Sequence, residues 1–304
     1  MRPDDCSVDD DTLGQIRQHV DRALREARAI GVFPTPVEQI VAAARLSVES
    51  SVSLDQGFFS RLYKTGRETI RKAVSKVLGL LDVGARRIYL DLTLPRPKRA
   101  FVTLHETGHN ALPWQRDTYA FLEDCEETLD LDLKEQFERE ANVFASEVLF
   151  QGDRFGVEAD GRPFSIKTPI ELAKLFGASL YASLRKYVST NSNPCVLLIY
   201  EAPVSLLGRD YGATLRRVIS SAPFRAEFGD VEWPERCTRT TFLSPLLFPK
   251  WKIRESMKCT IDVDGRPLAA RVDAFNNGKY GYYVLLFPES IRPPRPRRRR
   301  VEVN

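Results

Sequence analysis

The stretch Phe101–Pro113, FVTLHETGHNALP, decides how the rest of the chain reads. Within it, His105-Glu106-Thr107-Gly108-His109 spells H-E-x-x-H. In an α-helix, residues four apart share a face, because 3.6 residues make a turn. Two imidazoles at that spacing reach one Zn²⁺, and the intervening glutamate sits where it takes the proton of an attacking water. Such a pentapeptide also occurs by accident in surface helices. Here Ala100, Phe101, Leu104, Ala111 and Leu112 flank it with apolar positions, so the helix is expected to be buried. Buried histidines and a buried glutamate are costly unless partnered, and a metal partners them. The chain has three histidines and this motif uses two. The third, His19, stands beside Gln18 and reads as solvated.

Upstream, Arg87–Leu94 (RIYLDLTL) reads as a strand that Pro95 and Pro97 break before the motif helix. It is either the edge strand that receives an extended peptide by β-addition or an interior strand of the same sheet. Downstream, Pro113–Glu135 is acidic and aromatic, and reads as a solvated loop or as an electronegative flap over a cleft. In it, Tyr119 is a candidate oxyanion donor. Cys125 is a candidate latent zinc ligand, or an inert thiol. Glu135–Phe150 (EQFEREANVFASEVLF) then reads as a helix burying Phe137, Ala141, Phe144, Ala145 and Val148. A catalytic zinc with two histidines needs a third protein ligand, commonly a carboxylate, and one open position. Glu138 is the candidate because it lies toward the apolar face. Glu140, turned by about 200° on the helical wheel, is the competitor. Asn142, one turn beyond Glu138, is placed to bond a histidine ring and fix its tautomer.

HETGH followed by EREANVFASEVLF resembles the ImmA/IrrE family of zinc metallo-endopeptidases, whose pattern is H-E-x-x-H and then E-x-x-A-N-x-F-A. The matching residues are His105, Glu106, His109, Glu138, Ala141, Asn142, Phe144 and Ala145. TPVEQIVAAARL also resembles the family's N-terminal helix, and the likeness covers roughly residues 30–190. The resemblance implies a zincin-like domain, one Zn²⁺ ion, a cytoplasmic setting in bacteria or their mobile elements, and a protein substrate. Better-known members cleave a helix-turn-helix repressor.

The remaining chain divides by composition. Residues 1–10 read as a disordered acidic leader, and 11–160 as the zincin-like peptidase domain. A helix is expected over 11–30. A second is expected after Thr35-Pro36, with Thr35 as N-cap, and a short strand over 47–53. Residues 57–63 are ambiguous, and 66–81 read as helical. Residues 161–190 form a helical hairpin, opened by a capping box at Thr168 and interrupted at Gly177. Its spacing resembles a helix-turn-helix, with Arg185 and Lys186 as DNA contacts, but a packed hairpin is the better reading. Residues 191–290 contain three strand-like runs with turn signals at Asp264-Gly265 and Asn277-Gly278, and read as a smaller antiparallel α+β domain. It is a sensor, a docking module or a structural extension. Resemblance to sensor domains of the GAF type rests on no motif here. Residues 291–304 form a disordered arginine-rich tail.

Composition narrows the function classes. Of the net charge of +4, the last fourteen residues carry +5, so the body is near neutral and is no broad polyanion binder. No apolar run is long enough to cross a membrane, so a membrane is not an expected partner. The five cysteines are scattered without C-x-x-C spacing, which fits free thiols in a reducing compartment.

The fold expected is therefore α+β: a zincin-like metallopeptidase domain with a helical hairpin, followed by the smaller antiparallel domain. The function expected is zinc-dependent endopeptidase. His105, His109 and Glu138 hold the metal, Glu106 is general base, and Asn142 supports a ligand. The rival is a DNA-binding or signalling regulator in which this fold is a scaffold.

Overall fold

The computed structural model describes residues 8–49, 79–91, 93–125, 130–206, 210–238, 252–263 and 266–291. Residues 1–7 of the leader, the element expected at 57–63, most of the helix expected at 66–81, the Asp264-Gly265 turn and the arginine-rich tail lie outside them. The chain divides into two compact units. One is Pro3–Arg154 with Lys174–Ser179; the other is Phe155–Ala173 with Leu180–Asn304.

The first unit begins with helix α1, Asp10–Glu26. Asp9 caps it by accepting from Thr12 N at 2.8 Å and Thr12 Oγ1 at 2.7 Å, so the helix starts inside the expected leader. Ile16, Val20 and Leu24 form its buried stripe. The helix ends at Glu26 rather than near Ile30, and Arg28 takes a positive φ of 51°. Helix α2, Val37–Ala43, follows. Thr35 does not cap it; its hydroxyl donates to Leu149 O at 2.8 Å. Gln151 reinforces that junction by donating to Val32 O at 2.8 Å and accepting from Gly31 N at 2.7 Å. Thr35→Val is expected to destabilise the chain by about 1–3 kcal/mol, because a buried carbonyl loses its donor. Urea unfolding monitored by circular dichroism would check this.

Strands β1 (Ser47–Glu49), β2 (Gly79–Asp82) and β3 (Arg87–Leu90) form a sheet in the order β1-β3-β2. β1 pairs parallel with β3, and β2 pairs antiparallel with it. Of the two readings of the strand beginning at Arg87, the interior one holds, and among the described residues β2 is an edge. One expectation changes here. Gly79–Leu81, expected to end a helix, is extended instead.

Helix α3, Arg96–Ala111, carries the H-E-x-x-H motif, and Pro97 sits in its first turn, where a missing N–H costs nothing. The acidic segment is largely helical, not a loop. Pro113–Cys125 forms α4, and Asp130 caps α5, Leu131–Leu149, by accepting from Asp132 N at 3.0 Å. Helices α3 and α5 pack together with α1 against α5. Gly108 permits the approach, since a Cβ there would lie 3.1 Å from Phe144 Cδ1. Arg17 Nε meets Glu147 Oε2 at 3.0 Å, tying α1 to α5.

In the second unit, helices α6 (Arg154–Asp160), α7 (Lys167–Phe176) and α8 (Leu180–Ser189) precede the main sheet. Lys167 N donates to Ser165 Oγ at 3.0 Å, whereas Thr168 Oγ1 bonds Pro163 O at 2.6 Å, so Ser165 takes the capping role expected of Thr168. Gly177 ends α7 at a φ of 70°. Ser183 Oγ donates to Pro169 O at 2.6 Å, joining the hairpin. Strands β4 (Val196–Tyr200), β5 (Val204–Leu206), β6 (Asp210–Ser220), β7 (Arg236–Thr238), β8 (Ile253–Val263), β9 (Arg266–Asn276) and β10 (Tyr282–Pro288) run antiparallel in the order β5-β6-β4-β10-β9-β8, with β7 on β6. Helix α9, Ala222–Phe228, follows β6 and buries Phe224 in the core beside Val196, Leu198, Val272 and Val284. The Asn277-Gly278 signal marks a 3₁₀ turn, Gly278–Tyr280, between β9 and β10. Helix α8 packs on β4 and β6. Lys186 is therefore buried and Arg185 half-buried, which removes the surface a recognition helix needs.

The fold is thus α+β, with a zincin-like first domain. No helix among the described residues is long and apolar enough to cross a membrane.

Candidate metal centre

The helical spacing of α3 brings both motif histidines to one point. His105 Nε2 and His109 Nε2 lie 3.2 Å apart. From α5, Glu138 places Oε2 3.3 Å from His105 Nε2 and Oε1 3.7 Å from His109 Nε2. These three residues form the one cluster among the described residues that could hold a metal ion. The rings are mostly shielded, while the Glu138 side chain is 46% exposed, so the cluster opens to solvent on the carboxylate side.

The hydrogen bonds behind the rings define what the cluster presents. Gln115 Nε2 donates to Glu140 Oε2 at 2.6 Å and to Phe137 O at 3.2 Å. Its Oε1 is therefore the atom 2.7 Å from His109 Nδ1, and Nδ1 must donate. Asn142 Oδ1 plays the same part 3.0 Å from His105 Nδ1. With both Nδ1 atoms protonated, both neutral rings aim Nε2 lone pairs at each other and at a carboxylate. Such an arrangement repels itself unless a cation lies between. With zinc–ligand bonds of about 2.0–2.2 Å, tetrahedral donors lie roughly 3.3–3.5 Å apart. The observed separations fit that spacing, and the N₂O donor set suits zinc.

The protonation tendencies agree. Burial opposes charge on His105, but the Glu138 hydrogen bond and the Glu106 charge outweigh it and raise its pKa. Burial, then the His105 charge, lowers His109 to about 4. Glu138 falls to about 2, because the His105 hydrogen bond and both histidine charges overcome its burial. His105 and Glu138 are thus drawn toward their charged forms, while His109 is held neutral.

Glu106 lies beside this triad and against β2. A Cβ on Gly79 would lie 3.2 Å from Glu106 Oε1 and 2.5 Å from Val102 Cγ1, so glycine is what lets β2 lie against α3. The Leu81 N–H bonds the Glu106 carboxylate. Burial raises Glu106 to about 7, with the His105 charge and the Leu81 N–H acting against it.

The two glutamates of α5 separate cleanly, Glu138 facing the motif histidines and Glu140 turned to Trp114 and Gln115. Glu140 is the buried one, and accepts from Trp114 Nε1 at 2.7 Å and Gln136 Nε2 at 2.8 Å as well as from Gln115. Tyr119 lies edge-on to His109, ring centroids 5.6 Å apart, and against Phe137 at 5.7 Å. Burial, then the charges of Glu138, Glu106 and Glu140, push its hydroxyl pKa up. The Cys125 side chain lies outside the described residues. His19 is not simply solvated: it is half-buried, edge-on to Trp114 at 5.5 Å. Burial, then the charges of Arg22 and Arg116, lowers its pKa. Gln115 carried no sequence signal, because its role depends on the turn at Leu112-Pro113 that starts α4 beneath His109.

Helix, edge strand and converging donors define a zincin-like domain with a candidate metal centre. Residues 65–186 match the family model described as the IrrE N-terminal-like domain, a peptidase family. The match supports the resemblance of this part of the chain to the ImmA/IrrE family. No curated protein sequence matches the chain. Among solved structures, a Mycobacterium tuberculosis transcriptional regulator is similar in fold over 91% of this chain and 77% of its own length, with a TM-score of 0.51 and 13% identity.

Proposed function

We propose that the chain is a cytoplasmic zinc-dependent endopeptidase that hydrolyses a peptide bond in a protein substrate. The observation that carries this is the pair of histidine lone pairs and the carboxylate converging at 3.2–3.7 Å beside a buried glutamate. One zinc ion held by His105, His109 and Glu138 would polarise the scissile carbonyl and acidify the attacking water. Glu106 takes a proton from that water as its oxygen bonds the carbonyl carbon, and returns it to the amine nitrogen as the C–N bond breaks. The Leu81 N–H steadies the accepting carboxylate. Asn142 and Gln115 hold the rings in the tautomer that leaves Nε2 free. The edge strand β2 runs beside Glu106, and an extended substrate adding to it would bring its backbone to the site. Tyr119 is retained as the candidate oxyanion donor.

The substrate class supported by the family resemblance is a helix-turn-helix repressor. The experiment incubates zinc-loaded protein with helix-turn-helix proteins encoded by neighbouring genes, where such genes occur, and identifies fragments by mass spectrometry. One defined new N-terminus, abolished by chelator and restored by zinc, is the expected result. Purified chain that takes up no stoichiometric zinc would sink the proposal. The regulator reading has less support, since Lys186 is buried and Arg185 half-buried.

A further inference from the structure

We infer that Glu140 and Gln115 are positioning residues that set the tautomer of His109, and so the metal affinity of the site. The inference rests on the metallopeptidase reading of the triad. Gln115 is fully buried and Glu140 is 2% exposed, and their side chains meet at 2.6 Å. A glutamine amide facing a histidine nitrogen is ambiguous by itself, since either end of it bonds some tautomer. Here the ambiguity is removed from behind. The Glu140 carboxylate only accepts, and it already takes the Trp114 N–H and the Gln136 amide. Its third partner must be the NH₂ end of Gln115, and the Phe137 carbonyl demands the same end. The Oε1 end is thereby turned to His109, the proton goes to Nδ1, and Nε2 is left as a ligand. Without Glu140, only the longer Phe137 contact holds that end, and the amide can turn over and offer NH₂ to His109 Nδ1. The proton would then move to Nε2, where it blocks the metal.

Both acids of Glu138-Arg139-Glu140 thus serve one centre, one beside the histidine Nε2 atoms and one through Gln115. His19, edge-on to Trp114, extends the same support to α1.

The test uses the full chain and zinc alone, titrated in competition with a chromophoric chelator. Gln115→Met, of similar length but without the amide, is expected to weaken zinc binding by about 10–100-fold. Glu140→Met, which removes the acceptor behind Gln115, is expected to weaken zinc binding as well, and Glu140→Gln, which restores an oxygen facing Trp114 and Gln115, to recover it; zinc binding unchanged in Glu140→Met would overturn the part given to Glu140. Gln115→Met binding zinc as tightly as wild type would overturn the inference. A second measurement needs no variant: the ¹⁵N shifts of His109 in metal-free protein at mildly alkaline pH. Protonated Nδ1 is expected, and protonated Nε2 would overturn the inference even if Gln115→Met fails to fold. Wild-type protein that takes up no zinc would instead defeat the metallopeptidase reading, a different outcome from either of these.

Discussion

Glu106→Gln is expected to slow peptide hydrolysis by about 10²–10⁴-fold while leaving zinc affinity unchanged. The substitution keeps the size of a side chain that lies against Gly79, and its amide oxygen still accepts from the Leu81 N–H. It removes the one property the reaction uses, the ability to take a proton from water. Zinc binding should survive, because the triad of converging donors is His105, His109 and Glu138. Initial rates of new N-terminus formation, read beside zinc content by atomic absorption, separate the cases. Unreduced hydrolysis would refute the general-base role. Loss of zinc along with activity would make Glu106 a ligand rather than a base.

Glu138→Gln is expected to weaken zinc binding by more than the roughly 10–100-fold typical of losing a hydrogen-bond partner behind a ligand. The neutral amide loses the charge that compensates the cation. The apo fold should be retained, since the side chain is 46% exposed and Asp130, not Glu138, caps the helix. Hydrolysis should fall with metal occupancy and recover in part at high zinc. Thermal melts with and without zinc provide the readout: the wild-type chain gains stability on loading, and the variant gains little at the same zinc concentration. An equal gain in both would show that Glu138 does not bind the ion. Glu138→Gln and Gln115→Met therefore differ in degree, because one alters a donor and the other only the proton behind a donor.

The site was only partly legible in the sequence. The H-E-x-x-H spacing is a local property of one helix, so His105, Glu106 and His109 could be placed from a 3.6-residue period. The apolar face of the second motif helix was local too, and it points to Glu138, whose carboxylate lies 3.3 Å from His105 Nε2. It does not foresee that Glu140 is the more deeply buried acid, because burial does not distinguish facing the histidines from facing Trp114 and Gln115. Gln115 itself was invisible, since it bonds a residue six positions away across a helix break. The acidic run of 113–135 was read as loop because its charges hid a helix from Pro113 and a cap at Asp130. β6 gave no clear signal either. Its half-buried polar residues, such as Arg217, blur the alternation a strand needs.

Sequence alone determined the motif helix, the apolar partner helix thirty residues later and an antiparallel C-terminal module, because each is written in short-range periodicity. Tertiary structure decided that β3 is central and β2 outer among the described strands of the first sheet, and it lays β2 against α3 where Gly79 lacks a Cβ. It also decided which glutamate meets the histidines and which end of Gln115 faces His109. Those choices depend on hydrogen bonds between helices that no single helix specifies: the Trp114 and Gln115 contacts draw Glu140 away and leave Glu138 with the metal ligands.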